Sequence, residues 1–220
     1  MERTRLRRHP ERASCDTEDM DEILQESLLC HVAFLDDGLP VVIPSTFGRI
    51  DDQLYLHGSP LSRMMGVIAS GAPVSVAVSL LDGLVLATSA FDHSMNYRSL
   101  VVFGTGRSVT DSKEKRAALD SIVDHLVPGR RPLLRPMTDK EINATMVVAI
   151  PLTEHSVKLR TGPPGRSEEW PVSTGVIPIH TVAGDPIQAV SDRDGGSTPP
   201  LPDQVAEVVR SLNEENTSAS

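Results

Sequence analysis

Residues 41–65 read VVIPSTFGRIDDQLYLHGSPLSRMM, and in this stretch two short apolar runs, a polar turn and a helix start follow one another without a crossover segment. Val41, Val42 and Ile43 form a β-branched run that ends at Pro44. Leu54, Tyr55 and Leu56 form a second run after Arg49-Ile50-Asp51-Asp52-Gln53, so two adjacent strands are expected. Pro44 has no N–H for a ladder, which puts Ser45 and Thr46 at a sheet edge or bulge with backbone groups open to a ligand. Gly58, Ser59 and Pro60 then supply a flexible link, an N-cap and a proline at the first helical position. The helix is expected to run to about Ser70 and to stop at Gly71. Ser62 and Arg63 fall in its first turn, where unpaired N–H groups, a hydroxyl and a forked cation suit an oxyanion. A capped surface helix with a solvated Arg63 is written with the same residues.

Working outward, Met20, Ile23, Leu24 and Leu28 share one face of a helix expected over Asp19–Leu29. Cys30–Leu35 and Leu39–Pro44 flank Asp36-Asp37-Gly38, a short hairpin signal. Val74–Leu80 alternates apolar and small residues, and Asp82-Gly83 reads as a tight turn into a strand over Leu84–Ala90. Tyr97–Gly106 is the next strand. A helix over Lys113–Val127 opens with Asp111 and Glu114 in capping-box spacing, and Thr138 with Glu141 opens a shorter one. Met146–Ile150 and Ser156–Thr161 are the last strands, before Gly162-Pro163-Pro164-Gly165. Strands joined by tight hairpins exclude a doubly wound parallel sheet and predict a mainly β fold, a closed or split antiparallel β-barrel with peripheral helices. The absence of a GxGxxG turn removes a Rossmann site as well.

At 220 residues the chain is long enough for one sizeable domain with appended ends. The expected division is a disordered basic arm over 1–16, a barrel domain over 17–182, and an acidic, Pro-, Gly- and Ser-rich tail over 183–220 with a short helix at 202–213. A net charge of −9 argues against general nucleic-acid binding, since neutralising phosphates needs a surplus of cations. No apolar run reaches the ~18 residues of a membrane span and no signal-peptide core is present, so a cytoplasmic protein is expected. Cys15 and Cys30 lack CxxC spacing, and no set of ligands at metal-like spacing accompanies Cys30-His31.

A second polar concentration is Phe91-Asp92-His93-Ser94-Met95-Asn96-Tyr97-Arg98-Ser99, at the mouth of the strand that continues Leu100-Val101-Val102-Phe103. Such density suits a site, and equally a loop whose Asn and Ser satisfy turn hydrogen bonds. His57 and His93 have no serine or cysteine nearby in a nucleophile motif such as GxSxG, so hydrolase chemistry has little support and no catalytic base is assigned. Lys158 and Arg160 alternate onto one side of the last strand, facing solvent or an anionic ligand.

Taken in order, VVIPSTFGR, LYLHGSPLSRM, LLDGLVLATSAFDHSMNYRSLVVFGTG and SVKLRTGPP resemble the pyridoxamine 5′-phosphate oxidase-like flavoproteins, in the branch similar to nitroimidazole-resistance reductases, over about residues 17–180. The resemblance implies an FMN-binding split β-barrel, a homodimer with FMN at the subunit interface, and transfer of electrons from a reduced nicotinamide, NAD(P)H, to a small nitroaromatic or quinone-like molecule. Carried over by position, Ile43, Pro44, Ser45 and Thr46 would line the isoalloxazine. Tyr55, His57, Ser62 and Arg63 would lie near the ring edge and the phosphate. Asn96, Tyr97, Arg98 and Ser99 would complete the site, with Lys158 and Arg160 from late in the chain. The vitamin B6 enzymes follow the Ser-Arg pair with a phosphate-gripping lysine, whereas Met64 stands here, and Trp170 lies in an acidic context unlike their C-terminal signature. Vitamin B6 oxidation is therefore not expected. With one Trp, two Tyr and four Phe, ring contacts would be mainly backbone and aliphatic. Two alternatives stay open: a deazaflavin-dependent reductase on the same barrel, and a carrier or sensor holding flavin or haem without turnover, with His57 or His93 as the iron ligand.

Overall fold

A computed structural model describes residues 2–165, 169–187, 205–206, 208–210 and 213. Its elements in chain order are β1 (Ala13–Ser14), α1 (Thr17–Glu26), β2 (Cys30–Asp36), β3 (Leu39–Ser45), β4 (Gly48–Ile50), β5 (Gln53–Gly58), α2 (Arg63–Ala69), β6 (Pro73–Leu86), β7 (Ser94–Thr105), β8 (Arg107–Ser108), α3 (Ser112–Leu126), α4 (Asp139–Ala144), β9 (Met146–Pro151), β10 (His155–Arg160) and β11 (Gly175–Pro178). Every strand pair among the described residues is antiparallel. The large sheet has the order β1-β10-β7-β6-β2-β3, with β11 also on β6, and the small sheet the order β4-β5-β9-β8. The fold is therefore mainly β with peripheral helices, as the hairpin spacing predicts.

Two cores hold it. Val32, Val76, Val78, Leu100 and Val157 of the large sheet meet Leu54, Leu56 and Ile150 of the small one, with Ile23 of α1 and Met65 and Ile68 of α2 filling in between. Each such fully buried side chain contributes about 1.5–3 kcal/mol of transfer free energy. The opposite face of the small sheet carries Tyr55, Val147 and Ala149 against Ala118 and Leu119 of α3 and Ile142 of α4. Alternation along β5 explains the split, since Leu54 and Leu56 point one way and Tyr55 the other.

Local chemistry sets most of the turns. Asp37 (φ 51°) and Gly38 (φ 78°) both sit at positive φ, the requirement of the two-residue turn joining β2 to β3. Asp111 accepts from the backbone N–H groups of Lys113 and Glu114 at the start of α3. Thr138 and Glu141 form a complete capping box. Gly48 lets β4 press on α3, where an added Cβ would stand 2.7 Å from the Ile122 nitrogen. Gly48→Ala is accordingly expected to destabilise the fold by about 1–3 kcal/mol, read as a lower urea midpoint. An unchanged midpoint would mean that α3 can ride outward freely.

Several boundaries differ from the sequence reading. Asp82-Gly83 is no hairpin turn: β6 runs straight through it with a register shift between Leu81 and Gly83, because β11 lies alongside and its Ile177 carbonyl occupies the space of a Gly83 side chain. The polar loop ahead of β7 makes the turn instead. Ser59 and Pro60 belong to a turn ahead of α2, where Leu61 N–H donates to the Ser59 hydroxyl, and Ser62 is the N-cap, accepting from the Met65 N–H. α1 ends at Glu26 rather than Leu29.

The basic arm is docked rather than disordered. β1 pairs with β10 through Ala13 and Lys158, the Arg3 Nε donates to Glu154 at 2.6 Å, and the Arg3 guanidinium lies 5.5 Å over the Phe103 ring. In the tail, residues 205–206, 208–210 and 213 are helical, within the helix expected at 202–213, and the Pro-, Gly- and Ser-rich part over 188–204 lies outside the described residues.

Candidate cofactor site

One end of the large sheet gathers most of the expected site residues. In the β7–β10 register Ser99 pairs with Lys158 and Tyr97 with Arg160. Alternation places Lys158 and Arg160 on the outer face, opposite Val157 in the core. Arg160 is nonetheless 9% exposed. Its Nη1 donates to Oδ1 of buried Asn96 and to the Gly162 carbonyl at 2.9 Å, and its Nη2 to the Pro163 carbonyl at 3.3 Å. All three acceptors are neutral, and no carboxylate among the described residues pairs with this guanidinium. Burial, and then the nearby Arg12 charge, hold its pKa below the ordinary arginine value. A buried cation without a counter-charge is costly to keep, and an anionic ligand would relieve it.

Arg98 is satisfied differently. Its Nη1 and Nη2 grip Glu26 at 2.5 and 2.6 Å, and its Nη2 reaches Asp82 at 2.9 Å. Those hydrogen bonds, led by Glu26, raise its pKa. Arg98 ties the end of α1 to β6 and β7, and its charge is already balanced by two carboxylates. The Ser99 hydroxyl donates to the Lys158 carbonyl at 3.3 Å, a bond within the ladder.

Ile43, Pro44 and Ser45 end β3, an edge strand paired only with β2 among the described residues, so the placement of Pro44 at an edge holds. Ser45 pairs with Cys30, and its hydroxyl donates to the Thr46 carbonyl at 3.0 Å. These residues lie at the same end of the sheet as Asn96 to Ser99, with four strand spacings, roughly 19 Å, between β3 and β10.

Tyr55, Ser62 and Arg63 are not brought to that end. The Tyr55 hydroxyl donates to Glu114 at 2.9 Å within the second core, so it forms no open ring edge. Burial, then Glu114, raise its pKa. Arg63 is 74% exposed at its side chain and pairs with Asp36. Asp36 lies three residues beyond Ala33, which pairs with Ser75, whereas Arg160 is level with Leu81, six residues the other way. At ~3.3 Å per residue the two cations of one chain are roughly 30 Å apart along the strands. They cannot hold the same phosphate. His57, on β5, is exposed and has no hydrogen-bond partner among the described residues, and partial desolvation of its ring lowers its pKa. His93 is exposed, with Nδ1 2.7 Å from the Ser89 carbonyl.

A cavity of about 540 Å³ opens at the same sheet end, between the C-terminal ends of α1 and α3, with Leu80 and residues 181–183 as further walls. The sequence reading missed its central residue, His125. Its Nε2 lies 2.8 Å from the Ser27 carbonyl, which can only accept, so that nitrogen carries the proton. Its ring packs on Phe47, the residue after Thr46, at 4.5 Å between centroids. Helical spacing from buried Leu119 and Ile122 was the one available signal, and it marks packing rather than chemistry.

Burial lowers the His125 pKa, opposed by the Ser27 bond. The folded chain therefore prefers the neutral ring while the unfolded chain protonates near the ordinary ~6.5. The resulting stability is fully present above that value and is lost as pH falls through the lowered folded pKa. Stability by urea denaturation should thus drop more between neutral and mildly acidic pH for the native chain than for His125→Gln. Parallel pH profiles would show that His125 contributes nothing to the slope.

A family model described as pyridoxamine 5′-phosphate oxidase matches residues 16–159. Among solved structures, an FAD- and haem-binding protein from Mycobacterium smegmatis is 36% identical with a TM-score of 0.81, over 90% of this chain and 97% of that one. The flavocytochrome Anf3 from Azotobacter vinelandii is 36% identical with a TM-score of 0.84, over 94% and 97%. A candidate 5-nitroimidazole antibiotic resistance protein from Bacteroides thetaiotaomicron is 26% identical with a TM-score of 0.57, over 66% and 85%. No curated protein sequence matches the chain.

Proposed function

The chain belongs to the pyridoxamine 5′-phosphate oxidase family, and from that premise we propose that it is a flavin-dependent oxidoreductase passing electrons from a reduced nicotinamide to a small molecule. The observation that carries this reading is Arg160, a 9% exposed guanidinium held by Asn96 and two carbonyls with no carboxylate beside it among the described residues. Its donor set fits a phosphate oxygen. The open edge of β3 at Ile43 to Thr46 would offer backbone groups to the flavin ring. When bound, the flavin supplies the hydride and single-electron chemistry, and the chain supplies orientation and electrostatics. Met64 is 6% exposed in the core, so no cation follows Arg63 and vitamin B6 oxidation stays disfavoured.

The two cationic positions, Arg63 and Arg160, stand at opposite ends of one chain. Such a pair suits a cofactor held between two copies, with the exposed Arg63 of one and Arg160 of the other meeting different parts of it. A homodimer of split barrels accommodates both contacts. The dinucleotide FAD is a better reading than the FMN expected from sequence, since the two structures alike over at least 90% of this chain are of an FAD- and haem-binding protein and a flavocytochrome. FAD titrated into the chain should bind at least tenfold tighter than FMN. Tighter FMN binding would restore the mononucleotide.

Those same two structures favour a second cofactor, haem. His57, an exposed imidazole on β5 with no partner among the described residues, fits an iron ligand, and His93 offers Nε2 with Nδ1 already oriented by the Ser89 carbonyl. Adding haem should give a Soret band that shifts in His57→Ala or in His93→Ala. A spectrum identical in both variants would remove these ligands.

A further inference from the structure

We infer that the cavity beside His125 binds an uncharged aromatic molecule that donates a hydrogen bond, a phenol or quinol in chemical class. Leu28, Leu29, Leu80, Pro128 and Val182 give it apolar walls, and about 540 Å³ lies within the range of small-molecule sites. Its acidic lining carries no free charge. Glu26 is gripped by both terminal nitrogens of Arg98, and Asp124 accepts from the Arg131 Nε at 2.7 Å. An ionised ligand would find no unpaired counter-charge there and would pay for desolvation. Gln25 and Thr181 of the lining are exposed to water, which leaves the half-buried His125 to decide between ligands: it spends Nε2–H on the Ser27 carbonyl, and its Nδ1 has no partner among the described residues. Burial keeps that ring neutral, which preserves the lone pair. A hydroxyl on an aromatic ring satisfies Nδ1, while a quinone or a nitroarene, which only accept, leaves it unmet.

Two further observations place the cavity. Its outer wall is held, because the Asn213 side chain accepts from Ala183 N–H at 2.7 Å and donates to the Ala183 carbonyl at 3.1 Å. Its inner wall adjoins the strand end assigned to the flavin, since Leu29 precedes Cys30, which pairs with Ser45 and donates its thiol to the Ser45 carbonyl at 3.3 Å. That a quinol held there is the reduced product, the flavin having passed two electrons to the quinone and two protons having been taken up, rests on the proposed function. That it binds does not.

The test is calorimetric titration of the full chain with naphthol and with its methyl ether, which lacks the donor. Naphthol should bind saturably, and the ether at least tenfold more weakly, the worth of one hydrogen bond. His125→Phe should abolish the difference between the two, and Leu80→Trp, which fills the cavity, should weaken both at least tenfold. No saturable naphthol binding, or binding indifferent to Leu80→Trp, overturns the proposal, and Leu80→Trp decides it alone if His125→Phe fails to fold. Flavin uptake measured on the same samples separates the two readings. Naphthol binding by a chain that takes no flavin keeps the cavity and removes its redox role, whereas flavin uptake without naphthol binding overturns the cavity only.

Discussion

Arg160→Gln is expected to release the flavin while leaving the fold as stable as before. A charge-assisted hydrogen bond to phosphate is worth about 1.5–3 kcal/mol, so affinity should fall roughly tenfold to a hundredfold. Stability is expected to change little. The three present acceptors are neutral, and a glutamine amide can still donate to Asn96 or to the Gly162 carbonyl. The change also removes a buried charge that no carboxylate among the described residues balances, so the unfolding free energy from urea denaturation should change by no more than about 1 kcal/mol in either direction. A purely structural Arg160, one that pins residues 162–163 against β7, gives the reverse pattern. The variant would then lose stability and keep its flavin affinity.

Arg98→Ala should have the largest effect on folding. Arg98, Glu26 and Asp82 have side chains only 16%, 15% and 28% exposed, so solvent screens the group weakly. Removing the cation strands two half-buried carboxylates, which is expected to destabilise the protein by about 3–5 kcal/mol. Thermal or urea unfolding measures this directly. Replacing Arg98, Glu26 and Asp82 together by apolar residues of similar size should recover much of the loss, because the penalty lies in the unpaired charges rather than in missing attraction. A loss under 1 kcal/mol for Arg98→Ala alone would mean that water reaches the group in solution.

Part of this arrangement is written locally and part is not. Asp37-Gly38 announces its hairpin because few residues tolerate positive φ at both turn positions. Asp82-Gly83 misleads for a related reason: the residues that favour a turn also favour an irregularity inside a strand, and only β11, more than ninety positions later, shows which is meant. β11 itself is four residues with a proline and pairs with a part of β6 that the turn reading had cut away. The charges of the arm suggest a loose tail, but Arg3 meets Glu154, 151 positions along the chain.

The site divides in the same way. Alternation along β10 put Lys158 and Arg160 on one face, and the Ser62-Arg63 motif located a cation near α2. The burial of Arg160 depends on Asn96 and the residue 162–163 backbone folding over it. The gap of roughly 30 Å between the two arginines depends on strand register, and the cavity at His125 on two helix ends and residues 181–183 converging. None of these long-range arrangements leaves a spacing pattern in the sequence. Tyr55 shows the converse: its place beside the Ser-Arg motif suggested a flavin contact, yet strand alternation turns it toward Glu114 and the second core.

The central claim is flavin binding, and the visible absorption spectrum of the protein as purified tests it most directly. A yellow protein with flavin bands that bleach on adding a reduced nicotinamide is the predicted result. A colourless protein that gains no flavin bands after incubation with FAD or FMN would contradict the account.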